Sequence, residues 1–403
     1  MGVREPHAGT MFGVRLAGRV MRFSTEAGAA PLQRTVLHSL HCELGGKMVP
    51  FAGWDMPLSY AGLGAIDSHL WTRDSASLFD VSHMGQIVVQ GPNAARFLET
   101  QVPANLQSLP VGGAVLTLFL DQKAGILDDA IVTKLAEDKL FVVSNAGTCY
   151  RDLEQLRSEA WEGLQISFQS ESHSLVALQG PKAVQALLPV LDKDEDRAAI
   201  RTLPFMTAKH ASIAGATCLV SRLGYTGEDG VEISVPTERA EAISRMLLAS
   251  PQVKPAGLGV RDSLRLEAGL CLNGHDMTPD VTPVEAGLMW TIPKDRRTGT
   301  GFIGAEALMK RVQEGPAKKR VGFVIEKGAP AREGCEVFVG EQCVGVVTSG
   351  VFSPSLRIPV GMAYVAKEFS KVGTSVQIAV RSKKCDATIA KMPFVPQRYY
   401  RGE

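Results

Sequence analysis

The sequence predicts an α+β chain of several domains that ends in a small β-barrel. Three observations carry that expectation. A β-α-β-β-α pattern occurs twice at an offset of about ninety residues, short β-rich segments crowd the last eighty or so positions, and 403 residues exceed what one hydrophobic core usually holds.

The repeat opens at Val89-Gln90-Gly91-Pro92-Asn93-Ala94, which Leu178-Gln179-Gly180-Pro181-Lys182-Ala183 echoes. In both places a β-rich run (Gln86 to Val89; Leu175 to Leu178) meets a Gly-Pro pair and then apolar residues at helical spacing. Proline is tolerated there because the first helical turn has no acceptor for an N–H. Each copy reads as strand, turn, helix. Behind the first come strands at Ile131 to Leu135 and Leu140 to Val143 and a helix at Cys149 to Glu159. Behind the second come strands at Cys218 to Arg222 and Val231 to Val235 and a helix at Thr237 to Leu248. Two related units follow, each a sheet covered by helices on one face.

Around 311–320 the periodicity gives way to a Gly-Pro and basic stretch that reads as a linker. Beyond it, runs of β-formers recur between Gly, Pro and Ser: Val321 to Ile325, Glu336 to Val339, Val344 to Thr348, Val360 to Tyr364, Ser375 to Val380 and Ala387 to Lys391. This spacing suggests an all-β barrel or sandwich.

The first thirty residues differ from the rest. Before residue 26 the only acid is Glu5, while Arg4, Arg15, Arg19 and Arg22 are basic. Wound as a helix, Arg15, Arg19 and Arg22 share one side and Phe12, Leu16, Val20 and Phe23 form an apolar stripe, the pattern of a mitochondrial presequence. The expected organisation is a presequence over 1–28, a two-unit α+β region over 29–315 and a β-barrel over 316–403.

With 45% hydrophobic and 21% charged residues, the composition excludes a disordered, collagen-like or disulfide-stapled chain. Lys and Arg total 43 against 42 Asp and Glu, so the formal charge of +1 does not suggest a nucleic-acid partner. The seven cysteines are scattered and never in C-x-x-C spacing, which argues for reduced thiols and against zinc. The apolar run at 111–120 falls far short of the roughly 20 residues of a membrane-spanning helix. The eight histidines form no H-E-x-x-H, and neither G-x-S-x-G nor a Walker A motif appears. Gly257-Leu258-Gly259-Val260-Arg261-Asp262 lacks the third glycine of a dinucleotide fingerprint. What remains is carboxylates and arginines, with no metal and no nucleophile.

Gly125-Ile126-Leu127-Asp128-Asp129-Ala130 places two adjacent carboxylates at the start of an apolar strand, where Asp is disfavoured. Neighbours on a strand face opposite ways, so at most one of Asp128 and Asp129 points into a cavity and they form no dyad. Capping of a hairpin turn by both is an equally good reading of this segment. In the Gly-rich hairpin Gly224-Tyr225-Thr226-Gly227 and its following strand, Glu232 interrupts an apolar alternation and wants a partner: a heterocycle with two adjacent N–H donors, or an arginine. A helix capped near Asp262 sets Arg261 and Arg265 one turn apart, as cationic forks for a carboxylate or as a solvated basic face. His83 reads as a hydrogen-bonded core residue. Two basic clusters, Lys294 with Arg296 and Arg297, and Lys318 with Lys319 and Arg320, either steer an acidic partner or are solvated loop charges.

At these residues the chain resembles the T-proteins of the glycine cleavage system, the mitochondrial aminomethyltransferases. The resemblance covers nearly everything after the presequence. It rests on GGKMVPFAGWDMPLSY (45–60), LFDVSHMGQ (78–86), GILDDAIV (125–132), VVSNAG (142–147), GYTGEDGVEISVP (224–236), AGLGVRDSLRLEAGL (256–270), TPVEAGLMW (282–290), VTSGVFSPSL (347–356) and KMPFVPQRYY (391–400), in this order and spacing. It implies a clover-leaf, folate-binding fold of three domains around a central channel, the first of them discontinuous. It implies transfer of the aminomethyl group on the lipoyl arm of H-protein to tetrahydrofolate, giving 5,10-methylenetetrahydrofolate, ammonia and dihydrolipoyl H-protein. The implied partners are lipoylated H-protein and tetrahydrofolate, as acceptor substrate, without metal, nucleic acid or membrane, for a monomeric chain in the mitochondrial matrix.

Carried over position by position, Asp129 looks like the family's catalytic aspartate, and Asp128 like a turn or structural carboxylate. Glu232 matches the residue that engages the pterin ring, and Arg261 and Tyr399 match ligand-contacting positions. Asn145, Tyr225 and Trp290 are expected to line the pocket. The folate-binding halves of dimethylglycine and sarcosine dehydrogenases are similar, but they carry an N-terminal flavin domain with a dinucleotide fingerprint, whereas here the folate region is expected to begin within about thirty residues of a presequence. A related non-enzymatic iron–sulfur assembly factor is the alternative; its Lys-Gly-Cys-Tyr-x-Gly motif is replaced here by Gly269-Leu270-Cys271-Leu272-Asn273-Gly274.

Overall fold

The computed structural model describes residues 31–402 apart from residue 382, so the presequence expected over 1–28 lies outside the described residues. The chain enters through helix α1 (His38–Glu43) and a hairpin of β1 (Gly46–Phe51) and β2 (Trp54–Tyr60). Its two turn residues, Ala52 and Gly53, both have positive φ (48° and 83°), the twist that suits a tight antiparallel hairpin. Helix α2 (Ala65–Asp74) and the short strand β3 (Ala76–Asp80) follow.

The first repeat then runs β4 (Gly85–Gln90), α3 (Ala94–Gln101), β5 (Ala114–Leu120), β6 (Ile126–Ala136), β7 (Lys139–Ser144), α4 (Cys149–Ser158) and β8 (Gln165–Phe168). The second runs β9 (His173–Gln179), α5 (Ala183–Leu187), α6 (Asp194–Arg201), β10 (Ala208–Ile213), β11 (Ala216–Ser221), β12 (Gly230–Pro236), α7 (Thr237–Leu248) and β13 (Val253–Pro255). Their sheets have the orders β5-β6-β7-β4-β8 and β10-β11-β12-β9-β3-β13. The repeat is therefore real but longer than the β-α-β-β-α expected, with an extra strand before the central pair and another after the last helix. Both additional central strands, β5 and β10, sit at sheet edges, and β10 exposes Lys209 and His210 between its apolar positions, which hides its alternation.

The two Gly-Pro turns match in detail. Gly91 and Gly180 have φ of 133° and 131°, and their N–H groups donate to the carbonyls of Asp138 and Asp229, each at the mouth of the equivalent strand. Strand β3, which precedes the first repeat in sequence, is inserted into the second sheet between β9 and β13.

Alternation along the strands sorts the core. Ile87 and Val89 pack under α3 and α4, and Val176 and Leu178 pack under α5 to α7. Val88, Leu175 and Ala177 point the other way, into a layer shared by both sheets. Helix α8 (Leu258–Glu267) contributes Val260 and Leu264 to that layer. It begins after Gly257, not at Asp262: a Cβ on Gly257 would lie 2.5 Å from the carbonyl oxygens of Pro57 and Leu58, so glycine permits the close approach. Asp262 instead sits one turn inside and holds Arg265 at 2.8 Å.

Helices α9 (Pro283–Ala286) and α10 (Ala305–Glu314) lead to the barrel. Helix α10 takes up the first part of the expected 311–320 linker, which shrinks to the few residues after Gly315. Strands β14 (Lys318–Ile325), β15 (Glu336–Val339), β16 (Gln342–Ser353), β17 (Ile358–Ala366), β18 (Ser375–Val380) and β19 (Lys383–Ala390) close in the order β14-β17-β16-β15-β18-β19. Every β-rich run read from the sequence is one of them.

Helix α8 is also where the barrel attaches. Glu267, fully buried, accepts hydrogen bonds from His69 and Arg73 of α2 and from Ser353 and Ser355 at the end of β16. Its backbone carbonyl takes the N–H groups of Phe394 and Val395, turning the C-terminal tail back toward the repeats. Two turns of the fold make a direct stability test possible at Gly180, where an added Cβ would lie 2.3 Å from the Ser75 carbonyl oxygen and φ would be 131° for a non-glycine residue. Gly180→Ala is expected to lose about 1–3 kcal/mol or more in urea unfolding; wild-type stability would show that the turn relaxes freely.

Candidate functional site

Asp128 and Asp129 lie inside β6, opposite Phe119 and Leu118 of β5, so the capping of a hairpin turn is not their role. Adjacent positions on the strand separate them. Asp128 shares the face of Ala130 and Val132, toward α4, and Asp129 takes the opposite face.

Asp128 is fully buried and saturated with donors. Its Oδ1 accepts from the Asp129 N–H (2.8 Å), Asn145 Nδ2 (2.7 Å) and Asn273 Nδ2 (2.8 Å), and its Oδ2 from the Asn145 N–H (3.2 Å) and Thr148 Oγ1 (2.5 Å). Asp129 is only partly buried and has one side-chain donor: Asn145 Nδ2 reaches its Oδ1 at 2.8 Å. Burial first, then the charge of Asp128, pushes its carboxyl up to about 7 against the opposing pull of Asn145. Asn145 can bridge both acids because it stands at the turn between β7 and α4, where its carbonyl also accepts the Thr148 and Cys149 N–H groups.

Glu232 belongs to the middle of β12, between Ala177 and Ser221, on the face opposite Val231 and Ile233. It is 8% exposed, yet among the described residues its carboxylate has neither a hydrogen bond nor an ion pair within 4 Å. Burial raises its carboxyl above the usual range, and the positive charge of Arg261 counters that. Arg261, on α8, rests its guanidinium 4.9 Å from the centre of the Tyr225 ring and brings Nη2 to 3.8 Å from Met84 Sδ. Its Nη1 is buried without a partner among the described residues. Tyr225 is anchored by its hydroxyl, which donates to the Cys271 carbonyl, and feels the charge of Asp129. Asp129, Asn145, Tyr225, Arg261 and Glu232 thus form one neighbourhood, joined by contact or charge across both sheets and α8.

The fork imagined for both α8 arginines splits. Arg265 is spent on structure, with Nη1 at 2.7 Å from Asp276 Oδ2 and Nη2 at 2.8 Å from Ser349 Oγ of the barrel. Only Arg261 keeps free donors.

Among the described residues, neither Tyr399 nor Trp290 makes a hydrogen bond or ring contact with these five. Tyr399 stacks on Phe205 with ring centres 4.0 Å apart, on a tail held by Arg398, whose backbone N–H donates to Gly227 and whose Nη2 lies 2.7 Å from Glu228 Oε1. Burial pushes its hydroxyl up to about 12. Trp290 is 67% exposed, on a short turn whose Met289 packs near Leu118. An indole so open does not wall a closed cavity in this conformation.

His83 is buried as expected, but its Nδ1 has no hydrogen-bond partner among the described residues. Burial holds it at about 4, so the ring is neutral at ordinary pH; it meets the Phe51 ring edge-on at 5.5 Å. The basic clusters are largely engaged. Arg296 donates to the Glu99 carbonyl, Arg297 to those of Met289 and Ile292, and Arg320 to that of Ala286 at 2.8 Å. Arg296, Arg297 and Arg320 therefore act as braces between segments, Lys318 adds a 3.5 Å hydrogen bond to the Asp280 carbonyl, and Lys294 and Lys319 make no such bond among the described residues.

Two residues of the site escape sequence reading: Asn273, which binds Asp128 across 145 positions, and Asp152, buried in the first turn of α4 beside Asp128. Asp152 carries a weak signal, an acid on the apolar side of an amphipathic helix. Asn273 carries none, because its loop has no periodicity.

The GCVT N-terminal domain model matches residues 37–296, and the glycine cleavage T-protein C-terminal barrel domain matches 318–396. The mitochondrial aminomethyltransferase of Dictyostelium discoideum is 47% identical over 384 residues, covering 91% of this chain and 94% of that one. That of Gallus gallus is 46% identical over 92% of this chain and 94% of its own. The crystal structure of the glycine cleavage system aminomethyltransferase T from Bartonella henselae superposes with a TM-score of 0.86 at 41% identity, covering 92% of this chain and all of that one. Two domain matches in sequence order, relatives similar along nearly their whole length and a shared α+β fold with its closed barrel make the chain a member of the glycine cleavage T-protein family, the aminomethyltransferases.

Proposed function

We propose that the chain passes the aminomethyl-derived one-carbon unit from the lipoyl arm of H-protein to tetrahydrofolate, with 5,10-methylenetetrahydrofolate, ammonia and dihydrolipoyl H-protein as products, in the mitochondrial matrix. The observation that carries this is a partly exposed carboxylate, Asp129, raised to about 7 and set among groups that lack partners. The non-enzymatic alternative gives no reason for such a carboxylate. We further propose that 29–315 and 316–403 act as the folate-binding region and the barrel domain, with 1–28 removed on import.

Tetrahydrofolate supplies the accepting nitrogens; the residues of the chain supply orientation and proton handling. Glu232 and Arg261 are the binding pair. A buried carboxylate without donors is costly, and a flat heterocycle with adjacent N–H groups relieves that cost, while Arg261 Nη1 offers a donor to a carbonyl or carboxylate. Tyr225 offers an aromatic wall. Asp129, ionised above about 7, takes a proton or stabilises positive charge that builds as ammonia leaves, and Asn145 holds it in one rotamer. With the three arginines and Lys318 engaged, steering of an acidic H-protein is an expectation for the exposed Lys294 and the half-buried Lys319 alone.

The sign of the pH dependence follows. Asp129 is neutral below about 7, so transfer is expected to decline as pH falls through that value. The folded state also retains a proton that an unfolded carboxyl releases at its ordinary value of 3.8, so this group makes folding less favourable as pH rises from there to about 7. Asp129→Asn is therefore expected to be more stable than the parent at about pH 8, the difference vanishing near pH 4, in paired urea titrations. The same variant is expected to bind tetrahydrofolate and lose on the order of 10²–10⁴ in transfer rate from aminomethyl-loaded H-protein; wild-type turnover refutes the assignment. Glu232→Gln is expected to weaken tetrahydrofolate binding by about 10- to 100-fold in calorimetric titration, the loss of charge-assisted hydrogen bonds. A Kd unchanged within twofold would remove Glu232 from the binding site.

A further inference from the structure

We propose that Cys42 is a nucleophilic thiol and a modification site: His38 accepts its proton, Asp55 orients His38, and the sulfur attacks a small disulfide to form a mixed disulfide. The three residues belong to α1 and the β1–β2 hairpin and include none of the groups assigned to transfer.

The geometry is that of a nucleophile, a base and an orienting acid. His38 and Cys42 are four residues apart on α1 and so share one face of the helix. Cys42 Sγ lies 3.9 Å from His38 Nδ1, and His38 Nε2 lies 2.9 Å from Asp55 Oδ2. A carboxylate only accepts, so a neutral His38 donates its N–H from Nε2 to Asp55 and turns the lone pair of Nδ1 toward the sulfur. The Cys42 S–H is then the donor of the second contact. At 3.9 Å that contact is long, as nucleophile–base pairs often are before a reactant arrives.

The hairpin holds the acid in place. Asp55 pairs with Pro50 across β1 and β2, and its backbone N–H donates to the Gln33 carbonyl at 2.8 Å. His41, on the same helix, supplies the contrast: its Nε2 lies 2.9 Å from Asp80 Oδ2 and its Nδ1 2.9 Å from the Tyr60 hydroxyl oxygen. Both nitrogens of His41 are spent on buried structure, whereas His38 keeps one for the sulfur. Cys42 is exposed, while the His38 and Asp55 side chains are 15% and 21% exposed. A reactant can reach the sulfur, and the bond behind it is largely shielded from water.

The other charges around α1 do not oppose the step strongly. Glu43 is paired with Arg245 of α7, whose Nη1 lies 2.9 Å from Glu43 Oε1, and Arg245 also holds Glu241. Lys47 of β1 is exposed to solvent. The C-terminal end of α1 disfavours negative charge on Cys42, but the Leu44 and Gly45 N–H groups occupy the carbonyls of Leu40 and Cys42 and weaken that effect.

The step is a thiol–disulfide exchange. The S–H proton passes to His38 Nδ1, the Cys42 sulfur bonds to one sulfur of the disulfide, the original S–S bond breaks, and the departing thiolate takes the proton back from His38. Cys42 is oxidised and the departing sulfur is reduced. Cys343, at the start of β16, is an internal control: it is also exposed, and its sulfur meets the Gly345 carbonyl at 3.7 Å with no imidazole bonded to it among the described residues.

The test incubates the full chain with glutathione disulfide and follows adducts at Cys42 and Cys343 in the same molecules by peptide mass spectrometry. At pH 7 Cys42 is expected to react at least about tenfold faster than Cys343. Between pH 8 and 6.5 its rate is expected to fall by less than the roughly tenfold per pH unit of an unassisted thiol. In His38→Gln the two rates are expected to agree within about threefold. Asp55→Asn is expected to slow Cys42 and steepen its pH profile, because an amide can donate to Nε2 and move the imidazole proton to Nδ1, and Asp55→Glu to recover part of the rate. A purely structural Asp55 would alter stability and leave the pH slope in place. The wild-type ratio and slope need no variant, so a substitution that fails to fold leaves the test intact. Equal rates at the two cysteines, a Cys42 rate indifferent to His38→Gln, or an Asp55→Asn profile identical to the wild type overturns the proposal.

Discussion

A single buried carboxylate, Glu267, holds the parts of this protein in register. It has no exposed surface and accepts from two cationic or imidazole groups of α2 and from the hydroxyls and backbone at the end of β16. Burial alone would favour its neutral form, but the hydrogen bonds of His69 and Ser353 and the charges of His69 and Arg73 prevail and hold it at about 2. An anion satisfied in this way fixes geometry more than it adds stability, since removing any one partner leaves a charge uncompensated in a dry place. Because Glu267 ends α8, its partners orient the helix, and the helix carries Arg261 into the site.

The contrast among buried acids separates structure from chemistry. Glu267 and Asp128 have a donor for nearly every lone pair and belong to the scaffold. Asp129 has one side-chain donor and Glu232 has none among the described residues. These two sit on the faces where the sheets meet α8, away from the helices that cover the repeats. An acid with unfilled lone pairs can gain or lose a proton or bind a ligand, whereas a saturated one cannot do so without breaking its shell. Asp152 falls between these cases, satisfied on one oxygen by Arg151 and, among the described residues, without a donor on the other.

The molecule has two similar sheets, but the site occurs once across them. The Gly-Pro turns superpose in backbone angle and hydrogen bonding, while β3 is inserted into one sheet only. The first sheet contributes the paired aspartates and the second contributes Glu232, so the repeats face one another with unlike chemistry across a shared apolar layer.

Much of this was legible in the residues. The doubled Gln-Gly-Pro, the alternation of β4, β9 and β12 and the six β-rich runs near the C-terminus define the two sheets and the barrel, since side-chain periodicity and turn chemistry act over a few neighbouring positions. The same local rule separated Asp128 from Asp129 onto opposite faces. Local rules could not find the edge strand β10, whose exposed Lys209 and His210 break its pattern, or the start of α8, decided by how closely its backbone passes Leu58. Nor could they tell that Arg265 is consumed by Asp276 while Arg261 stays free, or that Asn273 and Asp152 meet at Asp128. Strand, turn and helix follow from neighbours along the chain; burial and unfilled hydrogen bonds depend on groups brought together from distant positions, which only the folded packing specifies.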